Sequence, residues 1–196
     1  MVEKKYSANL TGAWFLFYEI KQVIKLMRQD LTEKEIKSKI IEENLFQHRK
    51  ASSVSRVFPT VYRRANLLNE DLRELILEDN IKNGRLINLF AIMEEDLLFK
   101  EFMIEVIKEK YGSNNLFIEK KDVNSFFTQK AEQNKSFSKY KERTRSKLRQ
   151  VYLRILIEAG VLKDLKTGEL NRILFDPYLT QVIKNNNGDY FMDIFK

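Results

Sequence analysis

Few residues in this chain are placed to make or break bonds. The only histidine, His48, sits beside Arg49 in a polar stretch, and the chain has no cysteine to join it as a metal ligand or nucleophile. The segment Leu116-Phe-Ile-Glu119-Lys-Lys121 has the Glu-x-Lys spacing of metal-dependent nucleases, in which acids hold the metal and a lysine polarises the attack. That chemistry needs an upstream aspartate on a paired strand, and the nearest, Asp96, falls at a helix start instead. Gly84 and Gly112 stand alone, so no glycine-rich loop is offered to a phosphate. The expectation is a protein without enzymatic activity, cofactor, metal or small-molecule substrate.

The side chains that stand out are cations. From Asn44 to Asn69 there are Arg49, Lys50, Arg56, Arg63 and Arg64 and no acid. From Gln133 to Leu156 there are Lys135, Lys139, Lys141, Arg143, Arg145, Lys147, Arg149 and Arg154 against a single acid, Glu142. Between them, from Leu67 to Ile107, the sign reverses. The net charge of +7 and the pI of about 9.4 favour a phosphate or an anionic membrane surface without naming either. On a helical wheel, Lys139, Arg143, Ser146, Lys147, Gln150 and Arg154 lie opposite the apolar stripe Leu148, Val151, Tyr152, Ile155 and Leu156. In the earlier stretch Ser52, Arg56, Thr60 and Arg63 lie opposite Val54, Val57, Phe58 and Val61, with Arg49 just before them. Long cations mixed with hydroxyls and amides suit phosphate clamping with some contact to base edges. The plainer reading of each face is a solvated helix surface.

These faces need helices to carry them. Two prolines and six glycines in 196 residues argue against a turn-rich β fold, so the chain is expected to be mainly α. A first helix is expected from Gly12 to Arg28. Thr32-Glu-Lys-Glu35 is a capping box opening a second helix. A third starts near Ser52, with a kink or restart at Pro59. Further helices are expected over Leu72 to Glu94, broken near Asn83-Gly84, and over Asp96 to Lys110. Beyond a boundary at Tyr111 to Asn115, a short strand over Leu116 to Ile118 precedes a helix capped by Asp122. A long basic helix then runs from Ser138 to Ala159 and stops at Gly160. Leu162 to Phe175 changes to a β-hairpin pattern turning at Lys166-Thr-Gly168, and Asp176-Pro177 opens a last short helix. The apolar tail Tyr190 to Phe195 is expected on the chain's own core, as are Trp14, Phe15 and Phe17.

The order of these parts predicts a helical bundle with two helix-turn-helix-like units. They are an N-terminal unit over 1–68 and a C-terminal unit over 112–196, separated by central helices over 69–111. In the second unit the hairpin, with Lys166 and Arg172, would act as a wing beside the basic helix. No run approaches the roughly 20 apolar residues of a membrane span, and the lack of cysteine fits a reducing cytoplasm. The opening, Met1-Val-Glu-Lys-Lys-Tyr, is not followed by the apolar core of a signal peptide.

Several stretches of this chain resemble the BrxA family of BREX phage-exclusion systems. Tyr6-Ser-Ala-Asn-Leu-Thr11 followed by Glu19 resembles the family's opening. Glu42-Glu-Asn-Leu-Phe-Gln-His-Arg49, leading into Ser53-Val-Ser-Arg56, is similar to its first helix-turn-helix region. Leu86 through Lys108, with Asp96-Leu-Leu-Phe-Lys-Glu-Phe102, looks like its middle helices. Thr144-Arg-Ser-Lys-Leu through Glu158-Ala-Gly-Val-Leu162 resembles its winged C-terminal unit. The resemblance implies non-enzymatic binding of double-stranded DNA, a role in phage defence, and contact with other phage-defence proteins. Read without it, the same surfaces would also serve a sequence-specific winged-helix transcriptional regulator, or an RNA-binding helical protein of antitermination type.

Overall fold

The computed structural model describes residues 5–78 and 81–196; residues 1–4, read above for a leader, lie outside it. After a 3₁₀ turn at Asn9–Thr11 come α1 (Phe17–Met27), α2 (Glu33–Glu42), α3 (Ala51–Leu67), α4 (Glu70–Glu78) and α5 (Ile81–Glu95). A helix of three parts follows: α6 (Leu97–Phe102), a π-helical turn (Met103–Ile107) and α7 (Lys108–Gly112). The C-terminal part holds α8 (Lys120–Gln133), α9 (Lys135–Ser138), α10 (Glu142–Glu158), α11 (Pro177–Asn185) and α12 (Asp189–Met192), then a 3₁₀ turn at Asp193–Phe195. The chain is mainly α, as its composition predicts. Buried side chains from Leu10 to Phe195 form one connected cluster. The tail closes onto it, with the Phe191 ring centroid 5.5 Å from that of Phe90.

The first helix begins five residues later than its periodicity suggests, and Arg64 is the reason. Its guanidinium, buried on α3, donates to the carbonyls of Ala13 and Trp14 at 2.7 Å each. Asn88 on α5 donates to the Phe15 carbonyl at 2.7 Å. Residues 13–15 thus turn their carbonyls to side chains of α3 and α5 rather than to a following helical turn. Leu16 then swings to φ 48° and α1 starts at Phe17.

Three further boundaries differ from expectation. Pro59 lies inside α3 without a restart; the acceptor it leaves unserved is the carbonyl of the exposed Ser55, which water reaches. Asn83 and Gly84 lie inside α5 rather than at a break. Gly84 is needed there for closeness: a Cβ would sit 2.9 Å from the Phe17 ring. The helix expected to be capped by Asp122 starts earlier, at Lys120, with the Asp122 carboxylate accepting from the Glu119 N–H at 2.8 Å.

The basic helix of the C-terminal half is shorter than expected. Asn134 caps α9 by accepting from the Phe137 N–H, Phe137 is buried, and Tyr140 donates to the Tyr6 carbonyl at 3.0 Å. The chain then extends at Lys141 before α10 begins. Lys139 therefore closes α9 and is not on the α10 face where the wheel put it. The C-terminal end does follow expectation: Gly160 takes φ 77°, and the Val161 N–H reaches back to the Leu156 carbonyl at 2.8 Å.

Candidate nucleic-acid interface

α10 sorts its own cations. Glu142, in its first turn, pairs with Arg145 at 3.2 Å and with Arg149, and these arginines hold the carboxyl below its ordinary value, the Arg149 hydrogen bond foremost. Arg149 also lies over the Phe127 ring, 5.7 Å from its centroid. Arg145 and Arg149 are thereby drawn to the flanks. Arg143, Lys147 and Arg154 stay exposed on the outward face, and among the described residues none has a carboxylate partner. Gln150 is exposed in their midst, with the half-buried Ser146 at the edge. The opposite stripe, Leu148, Val151, Tyr152, Ile155 and Leu156, is fully buried as expected.

Beside this face the chain doubles back. Antiparallel bridges pair Leu162 with Leu170 and Phe117 with Glu169. The register is carried by Lys163 N–H to the Glu169 carbonyl at 2.8 Å and Asn171 N–H to the Val161 carbonyl at 2.9 Å. On the other side it is carried by Leu170 N–H to the Leu116 carbonyl and Ile118 N–H to the Gly168 carbonyl. The returning residues 168–170 thus lie between two neighbours. The pairing ends by Asn171, so the hairpin expected to reach Phe175 is limited to isolated bridges, with no extended strand among the described residues. Its turn is tight. Asp164 accepts from the Lys166 N–H at 2.7 Å, its carboxyl held low chiefly by that bond, and Gly168 closes the turn at φ 70°.

The structure brings some of the expected site residues together and separates others. Gln150 and Arg154 share a cleft of about 290 Å³ with Lys120, Leu165 and Gly168, between α10 and the turn. Lys166 is exposed on the turn itself. Arg172 lies past the paired register, bonded to Asn114 Oδ1 at 3.2 Å, and lines a different groove. In the N-terminal part, Arg49, Ser52 and Arg56 are exposed at the start of α3, whose first turn carries no acid. Arg63 is less available, because it donates to Glu95 at 2.9 Å and to Thr60 at 3.2 Å. Thr60, placed on the solvent side by the wheel, is buried. His48 pairs with Glu19 at 3.1 Å and ties down the loop before α3.

Glu119 sits at the start of α8, paired with Lys121, and is not borne on a strand. Asp96 is committed as the cap of α6, accepting from Phe99 N–H and Ser7 Oγ at 2.9 Å each; burial pushes its carboxyl above the usual value. Lys130, which no local pattern marks as inward, is buried on α8 between Glu101 at 2.7 Å and Glu105 at 2.5 Å. Burial lowers its basicity, and the two carboxylates outweigh that and leave it raised. No described helix is long and apolar enough to cross a membrane.

A family model described as BrxA matches residues 4–187. A protein of Bacillus cereus named "BREX protein BrxA" is 35% identical over 193 residues, covering 98% of this chain and 96% of that one. A protein of the same name from Paramagnetospirillum magneticum is 20% identical over 190 residues, covering 97% and 96%. The fold is similar to the crystal structure of an uncharacterized protein from Magnetospirillum magneticum, with a TM-score of 0.85 at 19% identity over 98% of this chain and 99% of that one.

Proposed function

The chain belongs to the BrxA family, and on that premise we propose that it is a non-enzymatic double-stranded-DNA-binding component of a BREX phage-defence system, acting in the cytoplasm. The observation that carries the DNA-binding reading is the outward face of α10. Three long cations stand there with no carboxylate partner among the described residues, around an amide that can bond a base edge. Arg and Lys neutralise phosphates and release counterions, and Gln150 can take an adenine edge. The order helix 97–112, bridge at Phe117, α8, α10 and returning turn supports a winged helix-turn-helix. In that reading α10 enters the major groove and the Lys166 turn reaches the adjoining backbone. Arg49, Ser52 and Arg56, at the start of α3, add a second set of phosphate contacts near a helix N-terminus.

A gel shift with random-sequence duplex across a salt series tests this. If about 6–10 phosphates are neutralised, affinity falls by roughly 10³ to 10⁵ between 50 and 200 mM salt. Structured RNA competes poorly in the expected outcome, and the duplex stays intact with Mg²⁺ or Mn²⁺ present. Binding that ignores salt, prefers RNA, or is accompanied by cleavage lost in Glu119→Gln contradicts the proposal.

A further inference from the structure

Between the start of α5 and the chain leaving the hairpin lies a groove of about 650 Å³, lined in part by Arg85, Leu86, Arg172, Ile173, Leu174 and Asp176. It shares no lining residue with the cleft beside α10. Among the described residues its lining is net positive. Arg172 bonds only the neutral Asn114 amide oxygen, and Arg85 has no carboxylate partner among the described residues, its Nε buried without an acceptor. Among the described residues the one acid in the lining is already committed: Asp176 accepts from the Leu179 N–H and the Asn83 amide at 2.8 Å each.

The groove is also apolar in a way the fold does not need. Leu174 is 88% exposed, the most of any large hydrophobic side chain described. Ile81, 60% exposed, directly precedes the lining residue Lys82 in the chain. Apolar surface left in water beside unpaired arginines is the composition of a protein interface, where apolar and aromatic side chains and Arg concentrate. A phosphate backbone would use the arginines and gain nothing from Leu174. We propose that this groove docks an acidic amphipathic segment of a partner protein, its apolar side chains covering Leu174 and its carboxylates meeting Arg85 and Arg172. The site is separate from the α10 face and stands whether or not that face binds DNA.

The probe is a labelled peptide of about 15 residues with Leu and Glu on opposite helical faces, read by fluorescence anisotropy against the full-length protein. It binds saturably, and Arg85→Glu, Arg172→Glu and Leu174→Ser each weaken it by at least about fivefold. A counterpart with Lys in place of Glu does not bind. Leu174→Ser alters a side chain already in water, so it keeps the test decisive if an arginine variant misfolds by circular dichroism. The same variant leaves affinity for a random duplex unchanged. No saturable binding to the wild type, or equal affinity for wild type and Leu174→Ser, overturns the proposal. So does displacement of the peptide by duplex together with loss of duplex affinity in Arg85→Glu, which makes the groove a nucleic-acid contact.

Discussion

Arg63 and Arg64 are neighbours in sequence with opposite surroundings. Arg63 is half exposed, while Arg64 is buried and binds Glu95, Ala13 and Trp14 through one guanidinium. Burial lowers the Arg64 basicity and Glu95 opposes that. The position was legible in part: 64 falls three residues after Val61 and seven after Val57, on the inward stripe. Its partners were not, because the carbonyls it serves lie some fifty residues away in sequence. Arg64→Ala leaves those carbonyls and much of the Glu95 charge unserved, and should destabilise the fold by about 3–5 kcal/mol in chemical denaturation. Arg64→Lys should recover little, since an ammonium cannot span three acceptors as a planar fork does. A loss under about 1 kcal/mol would show that the network is not a structural anchor. Asp176 was legible outright as a cap before Pro177. Its carboxyl is held below 3.8 by the Leu179 N–H first and the Asn83 amide after it. A depressed carboxyl contributes stability that is present above 3.8 and lost as pH falls through the depressed value. Asp176→Ala should therefore cost about 0.5–1 kcal/mol at neutral pH, at the low end for an exposed cap, and the gap to wild type should close in thermal melts as pH falls below 3.8 and through the depressed value.

Elements are legible in the sequence where the signal is local. The Thr32–Glu35 capping box and the Gly160 stop both appear as their residues foretell. Boundaries set by distant partners are not legible in the local sequence. Continuous polarity from Ser138 onward suggests one helix, but the Tyr6 carbonyl holds Tyr140, and Tyr6 in turn donates to Glu101 at 2.5 Å. That strap from the N-terminus fixes where α10 begins. The hairpin shows the same limit: its turn residues are plain in the sequence, whereas its short pairing depends on residues 116–118. Gly168 tests how far the turn matters. A Cβ there would lie 2.2 Å from the Ile118 carbonyl oxygen, at a φ that L side chains rarely adopt. Gly168→Ala should cost at least about 1–2 kcal/mol and shift the Lys166 turn off its line beside α10. Weaker duplex binding by a folded protein is the expected readout in a gel shift. Unchanged stability would mean that the turn relaxes freely.

At the scale of the whole molecule, the basic and acidic stretches counted along the chain are not the surfaces the fold presents. Arg64 and Lys130 go inside, Arg145 and Arg149 turn to Glu142, and Arg85, inside the acidic stretch, reaches a groove. The cations left on the outward face of α10 are Arg143, Lys147 and Arg154, and they carry the central claim. Glu101 and Glu105 make a poor control for them, since both hold Lys130. The exposed Lys25 and Lys34, on α1 and α2, are the better choice, because their reversal changes the net charge equally. The most direct measurement is a duplex titration in a salt series for wild type, Arg143→Glu with Lys147→Glu, and Lys25→Glu with Lys34→Glu. All three should fold alike, since such surface changes alter stability by no more than about 0.5 kcal/mol each. The α10 variant should lose most of its affinity, and the magnitude of its log-log salt slope should drop by about one per contact removed, while the control stays near wild type. Equal losses in both variants, or wild-type binding by a folded α10 variant, would contradict the assignment of this face to DNA.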